Sequence, residues 1–172
     1  MPPKPLQILL LVLLAVSGCK KAPHASAVLP TPPGVKSTPL KIELTAIPAG
    51  FTATAGAIAP IRLTSADGEI TVARGTVPDP AAAVRAEEAR LIALPHGRSL
   101  GSIELLCQFG RAFLTRGLYR GDRGTETEEI RIFLLSAPGR PLVLAYRYPA
   151  AGSRRERLDQ ALAVLRNLQP VS

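Results

Sequence analysis

Histidine, cysteine and aromatic residues are all scarce in this chain, and each shortage closes off a class of chemistry. The 172 residues include two histidines, His24 and His96, two cysteines, Cys19 and Cys107, and no tryptophan. A zinc site needs three or four clustered ligands. His96 and Cys107 alone fall short, and His24 has no Cys, Asp or Glu beside it. A Ser-His-acid hydrolase would need His96, which stands in a Pro-His-Gly turn, poised beside a nucleophile, yet no G-x-S-x-G stretch occurs. The G-x-x-x-x-G-K-[ST] loop that cradles nucleotide phosphates is also missing. No metal or cofactor is expected. With 4% aromatic residues and no recognised reading motif, nucleic acid is a poor partner.

Carboxylates do occur together, at Glu87 and Glu88 and at Glu126, Glu128 and Glu129. Such groups act as acid and base when one of them lies in an apolar pocket. Neighbouring glutamates on a helix or strand edge are expected to form a solvated face instead. The chain is therefore expected not to be an enzyme.

Proline is abundant, with 17 residues, many of them near the start. The amino terminus has a positive residue, Lys4, then an apolar run from Leu6 to Val16 and small residues before Cys19, which is secretory signal organisation. That run is about half the roughly twenty apolar residues needed to span a bilayer. "VSGC", Val16 to Cys19, resembles the lipobox of bacterial lipoproteins. The resemblance implies cleavage after Gly18 and diacylglyceryl attachment to Cys19, a thiolate being well suited to take the lipid. Two or three acyl chains, at about 0.8 kcal/mol per buried methylene, would hold the protein on a membrane without spanning it. Lys20 stands where retained inner-membrane lipoproteins of some enterobacteria carry aspartate. An outer-membrane destination, facing the periplasm, is favoured in an organism with two membranes.

Three segments follow: a signal over 1–18, the attachment cysteine with a Pro-rich tether over 19–39, and one domain over 40–172. "KKAPHASAVLPTPPGVKSTP" lacks apolar periodicity and reads as polyproline-II spacer, with His24 a solvated linker residue.

In the domain, Leu40, Ile42 and Leu44 alternate as a strand. Asp67-Gly68 signals a hairpin from about Ile61 to Arg74. Asp79 and Pro80 open an alanine-rich helix that Pro95 and Gly97 stop. Ile103, Leu105, Cys107 and Phe109 alternate onto one face, so Cys107 is expected to be a buried structural cysteine. With Cys19 lipidated, no intramolecular disulfide remains. "RAFLTRGLYR" and "TETEEIRIFLL" flank a glycine-rich turn, and "PLVLAYRYP" is one more strand with Leu142, Leu144, Tyr146 and Tyr148 on one face. Ser153 to Glu156 is a capping box, and Leu158, Ala161, Leu162, Leu165 and Leu168 recur at helical spacing until Pro170. The expected sheet is largely antiparallel, with about six or seven strands, and the two helices are expected to pack on it.

That order of elements, with "IPAGF" at Ile47 to Phe51 and "AVLRNLQP" closing the last helix, resembles the PsbP-like family. The family includes the extrinsic oxygen-evolving subunit of photosystem II, nuclear Ran-binding members and bacterial DcrB-like lipoproteins. The resemblance implies an α+β fold, an α-β-α sandwich whose sheet is flanked by the two helices, and a non-enzymatic accessory or binding role, but a shared fold does not transmit a partner or its contact residues.

Formal charge is +8, and removing Lys4 leaves about +7. Arg111, Arg116, Arg120 and Arg123 crowd the central hairpin. Arg116, Arg120 and Arg123 are the candidate contacts to an anion or partner, since guanidinium forks suit phosphate and carboxylate. The competing expectation pairs the hairpin arginines with Glu126, Glu128 and Glu129 across the strands. Arg154, Arg155 and Arg157 open the last helix, where positive charge is mildly unfavourable. The functional expectation is an envelope lipoprotein whose domain holds a protein partner. Its alternative is a module binding an anionic small molecule, lipid headgroup or polysaccharide; hydrolysis would require His96 or the glutamates to line a cleft.

Overall fold

The computed structural model describes residues 34–54, 60–121 and 124–171. Cys19 and most of the proposed tether lie outside the described residues. Ten strands and two helices follow in the order β1 Val35–Ser37, β2 Ile42–Leu44, β3 Thr52–Thr54, β4 Ile61–Thr64, β5 Glu69–Arg74, α1 Pro80–Ala93, β6 Arg98–Cys107, β7 Gly110–Arg120, β8 Glu126–Ala137, β9 Arg140–Pro149, α2 Arg154–Asn167 and β10 Leu168–Pro170. Seven strands form one sheet in the order β3-β4-β5-β9-β8-β7-β6, and the other three form a small sheet, β1-β2-β10. Every pairing is antiparallel.

Side-chain alternation sorts the seven-stranded sheet into two faces. On one, Ile70 and Val72 of β5, Leu114 of β7, Ile130, Ile132 and Leu134 of β8 and Leu142, Leu144 and Tyr146 of β9 form the main core. Ala161, Val164 and Leu165 of α2 and Ile42, Leu44 and Leu168 of the small sheet cover them. A buried side chain of this size contributes about 1.5–3 kcal/mol. The opposite face meets α1, where Ala83 and Val84 pack on Phe133, with Val77, Phe113 and Val143 around them. The molecule is thus an α-β-α sandwich with one thick apolar layer and one thin one, as the alanine content of α1 dictates.

Both helix starts are capped as their sequences prescribe. Asp79 accepts from the backbone N–H groups of Ala81 and Ala82 at 3.0 and 3.2 Å, and Ser153 accepts from that of Glu156 at 3.4 Å. At the far end of α1, a Cβ on Gly97 would lie 1.7 Å from the Leu91 carbonyl oxygen, so only glycine fits that turn. Leu91 also crosses β7 at Gly117, where a Cβ would stand 2.2 Å from its Cδ2. That close approach seats the helix.

Two boundaries differ from the expectations. The apolar period of the last helix runs to Leu168, but α2 ends at Asn167 and Leu168 begins β10, buried against β2. A leucine at the end of a stripe serves a helix face and a strand face equally well. A strand, β1, also occupies Val35–Ser37, within the 19–39 stretch that composition reads as tether.

Candidate functional site

The hairpin of β7 and β8 holds two of the candidate arginines among the described residues; Arg123, like Cys19, lies outside them. Arg116 turns inward, and its guanidinium meets the fully buried Glu128 carboxylate at 2.5 Å. Arg154 of α2 approaches the other oxygen of the same carboxylate at 3.4 Å. Arg120 is exposed, opposite Glu126 in the register, and makes no ion pair among the described residues. Arg111 pairs with Glu104 across β6 and β7 on the surface. Arg157 is largely buried, reaching Asp67 at 3.2 Å and donating to the Tyr146 hydroxyl at 3.0 Å. His96 is exposed in the turn after α1, at φ 53°.

The expectation of a solvated glutamate face is corrected. Glu87, Glu128 and Glu129 are all buried. Glu129 accepts from Arg131 Nε and Arg147 Nε at 2.9 Å each and from Arg90 at 2.5 Å. Glu87 takes Arg90 in a two-pronged bond at 2.5 and 2.8 Å, with Arg131 at 3.1 Å. Burial pushes the Glu129 carboxyl up, but the charges of Arg131, Arg147 and Arg90 outweigh it and hold the group below its ordinary value. The Tyr119 hydroxyl beside them is raised, by burial first and then by the Glu129 charge. Carboxylates tied down in this way are poor general acids. Adjacency along one strand could not reveal this arrangement, because the partners come from α1, β8 and β9. The available signal was the register, which sets Glu129 opposite Arg147.

Tyr148, packed against Tyr146 with ring centroids 4.8 Å apart, is raised by burial and then by the Glu128 carboxylate it faces across the strands. Its hydroxyl is buried without a hydrogen-bond partner among the described residues.

The open end of the sheet has a different character. β6 is an edge strand, paired with β7 on one side only, and most of its length is exposed. Among the described residues the exposed large apolar side chains are Ile92, Ile103 and Leu106, at 70%, 54% and 85% exposure. Ile103 and Leu106 stand on β6 itself. Ile92 stands on α1 one turn beyond Glu88, which bonds Ser102 of β6 at 3.4 Å. All three therefore lie along this edge, Ile103 on the face it shares with Leu114 and Leu106 on the opposite face with Arg111. A hollow of about 260 Å3 adjoins it between β6 and α2, lined by Leu105, Leu106, Cys107, Gln108, Leu162, Leu165 and Arg166. Gln108 fixes its floor by donating to the carbonyl oxygens of Leu165, at 2.8 Å, and Leu168. Cys107 is a free thiol, partly buried: it packs against the margin of the main core, as its strand parity predicts, and also lines this hollow.

Among the described residues no cluster of three or more His, Cys, Asp and Glu could hold a metal ion, and no helix is long and apolar enough to cross a membrane. No protein family and no curated protein matches the chain in sequence. Solved structures do match it in shape. LpqN of Mycobacterium tuberculosis, involved in cell envelope biogenesis, is 19% identical with a TM-score of 0.51, over 76% of this chain and 83% of its own. The Saccharomyces cerevisiae Ran-binding protein Mog1p is 12% identical with a TM-score of 0.59, over 81% and 95%. The cyanobacterial PsbP of Synechocystis is 9% identical with a TM-score of 0.53, over 87% and 98%. At such identities the likeness is one of architecture, and the chain has the α+β sandwich fold of these three proteins.

Proposed function

We propose that this chain is a non-catalytic accessory lipoprotein of the cell envelope, anchored through acylated Cys19, whose domain holds a polypeptide partner at the β6 edge. The observation that carries this reading is the gathering of Ile92, Ile103 and Leu106 around an edge strand with unused backbone hydrogen-bonding groups. An open edge is a template for a further strand. The hollow beside Cys107 would take one apolar side chain of the incoming segment, and exposed Arg120 is left for an acidic residue of the partner. The non-catalytic reading is supported by the commitment of Glu87, Glu128 and Glu129 to arginines. The anchor is supported by "VSGC" before the tether, and an envelope role is in keeping with the structural likeness to LpqN.

The test is photo-cross-linking in native membranes, with the reactive residue at Leu106 or, as a control, at exposed Arg85 on the outer side of α1. The expected result is one discrete protein adduct from position 106, none from position 85, and loss of the adduct on adding Ile103→Glu. Equal labelling from both positions, or none from either, overturns the reading. Acyl-chain labelling of the wild type that persists in Cys19→Ser would remove the anchor.

A further inference from the structure

On its own face of the seven-stranded sheet α1 packs over β6, β7 and β8, leaving a strip of β5 and β9 beside it. The floor of that strip is low, because the facing pairs Thr71 with Ala145 and Ala73 with Val143 are small. Arg74, Arg131 and Arg147 border it, enclosing a hollow of about 260 Å3. A second hollow of about 210 Å3 shares Gly75, Thr76, Arg131 and Val143 with the first and continues under α1 to Val77, Ala83 and Phe133. One end is thus basic; the other is mostly apolar, with the Glu87–Arg90 pair at its side.

The charges here do not cancel. Arg90, Arg131 and Arg147 surround two carboxylates, Glu87 and Glu129, which leaves 3 − 2 = 1 guanidinium charge in excess. Arg147 carries most of that excess, being 55% exposed and bonded to Glu129 through Nε, which leaves its two terminal NH2 groups for another acceptor. Arg74 lies at the other end of β5, opposite Leu142. Glu129 in turn holds Arg131 and Arg147 in fixed positions, so little side-chain entropy remains to be lost when an anion arrives.

We propose that this paired hollow binds an amphipathic oxyanion: a phosphate or carboxylate head on Arg147 and Arg131, bearing a compact apolar group that lies against Val77, Ala83 and Phe133. The site is independent of the β6 edge, which lies at the far side of the sheet beyond β8 and β7. The test uses the full-length lipidated chain in phosphatidylcholine nanodiscs with phenyl phosphate as probe and inorganic phosphate as comparison, binding being followed by ligand-observed NMR. Phenyl phosphate is expected to bind more tightly than inorganic phosphate. Arg147→Gln should weaken it about tenfold, as removal of a charge-assisted bond does. Ala86→Leu, a change at an exposed helix position lining the apolar end, should weaken phenyl phosphate and leave inorganic phosphate unaffected. Because Arg147 also pairs with Glu129, an unfolding curve like that of the wild type is required of each variant. No binding of either probe overturns the site, as does phenyl phosphate binding that survives Arg147→Gln. Equal binding of the two phosphates overturns its apolar half.

Discussion

Replacing Glu129 with glutamine tests the ion network directly. The carboxylate is 1% exposed and accepts three charge-assisted hydrogen bonds, from Arg131, Arg147 and Arg90. Glutamine keeps the volume but turns one acceptor into an NH2 donor. In the less costly orientation that donor faces Arg90, so one bond is lost and two donors oppose each other; in the other, the bonds to Arg131 and Arg147 both go. Three guanidinium groups are then left with Glu87 alone. A charge-assisted bond contributes about 1.5–3 kcal/mol, and breaking a buried pair by removing one partner costs about 3–5 kcal/mol. We expect Glu129→Gln to lose about 3 kcal/mol, a fall in Tm of about 10 °C for a domain of this size, read by circular dichroism on the full chain. The pH dependence supplies a second signature. The folded-state pKa of Glu129 lies below its ordinary value, so its contribution is fully present above the unfolded pKa of about 4.3 and disappears as pH falls through the folded value. The gap between wild type and variant should therefore be constant near neutrality and narrow below about pH 4.3. A loss under about 1 kcal/mol at neutral pH, or a gap that widens in acid, would refute the claim that the arginines hold this carboxylate ionised.

Gly117→Ala should cost about 1–3 kcal/mol by overpacking against Leu91, and less than the sum of the single changes when combined with Leu91→Ala, in a double-mutant cycle of denaturant unfolding. The two core tyrosines should respond in opposite ways. Tyr146 donates to Gln160 at 2.6 Å and accepts from Arg157, so Tyr146→Phe should destabilise by about 1–2 kcal/mol, whereas Tyr148→Phe removes an unpartnered hydroxyl and should be neutral or slightly stabilising.

The strands and helices were largely legible because local rules determine them. Alternation from Leu142 to Tyr148 reflects a strand with one face in the core, the β4–β5 turn falls at Asp67-Gly68, though closed from Ser65 to Gly68 and without the positive φ of a primed turn, and Asp79 and Ser153 cap the helices they precede. What escaped was non-local. Leu168 belongs to a strand because β2 is there to receive it, and nothing within its own segment says so. Ile103 sits in register with core-facing Leu114, yet it stays exposed, since it stands on the edge strand and parity alone does not bury a residue. The glutamates were misread for a similar reason. Charge along a helix or strand reads as a solvated face until the fold brings Arg90 from 39 residues away onto Glu129.

The strand order also bears on how such a chain can be made and delivered. β3, β4 and β5 form one half of the large sheet and β6, β7 and β8 the other, and β9 alone joins them, bonding β5 on one side and β8 on the other. β10 is likewise the last strand added to the β1-β2 pair of the small sheet, and the main core waits for α2. A chain emerging amino end first from a ribosome or a translocation pore therefore carries two unjoined half-sheets with open edges until its final segments appear. These contacts are far apart in sequence, so closure is slow relative to synthesis of any single hairpin. Late closure makes β9 and α2 the segments whose loss would leave the two half-sheets unjoined and the main core uncovered.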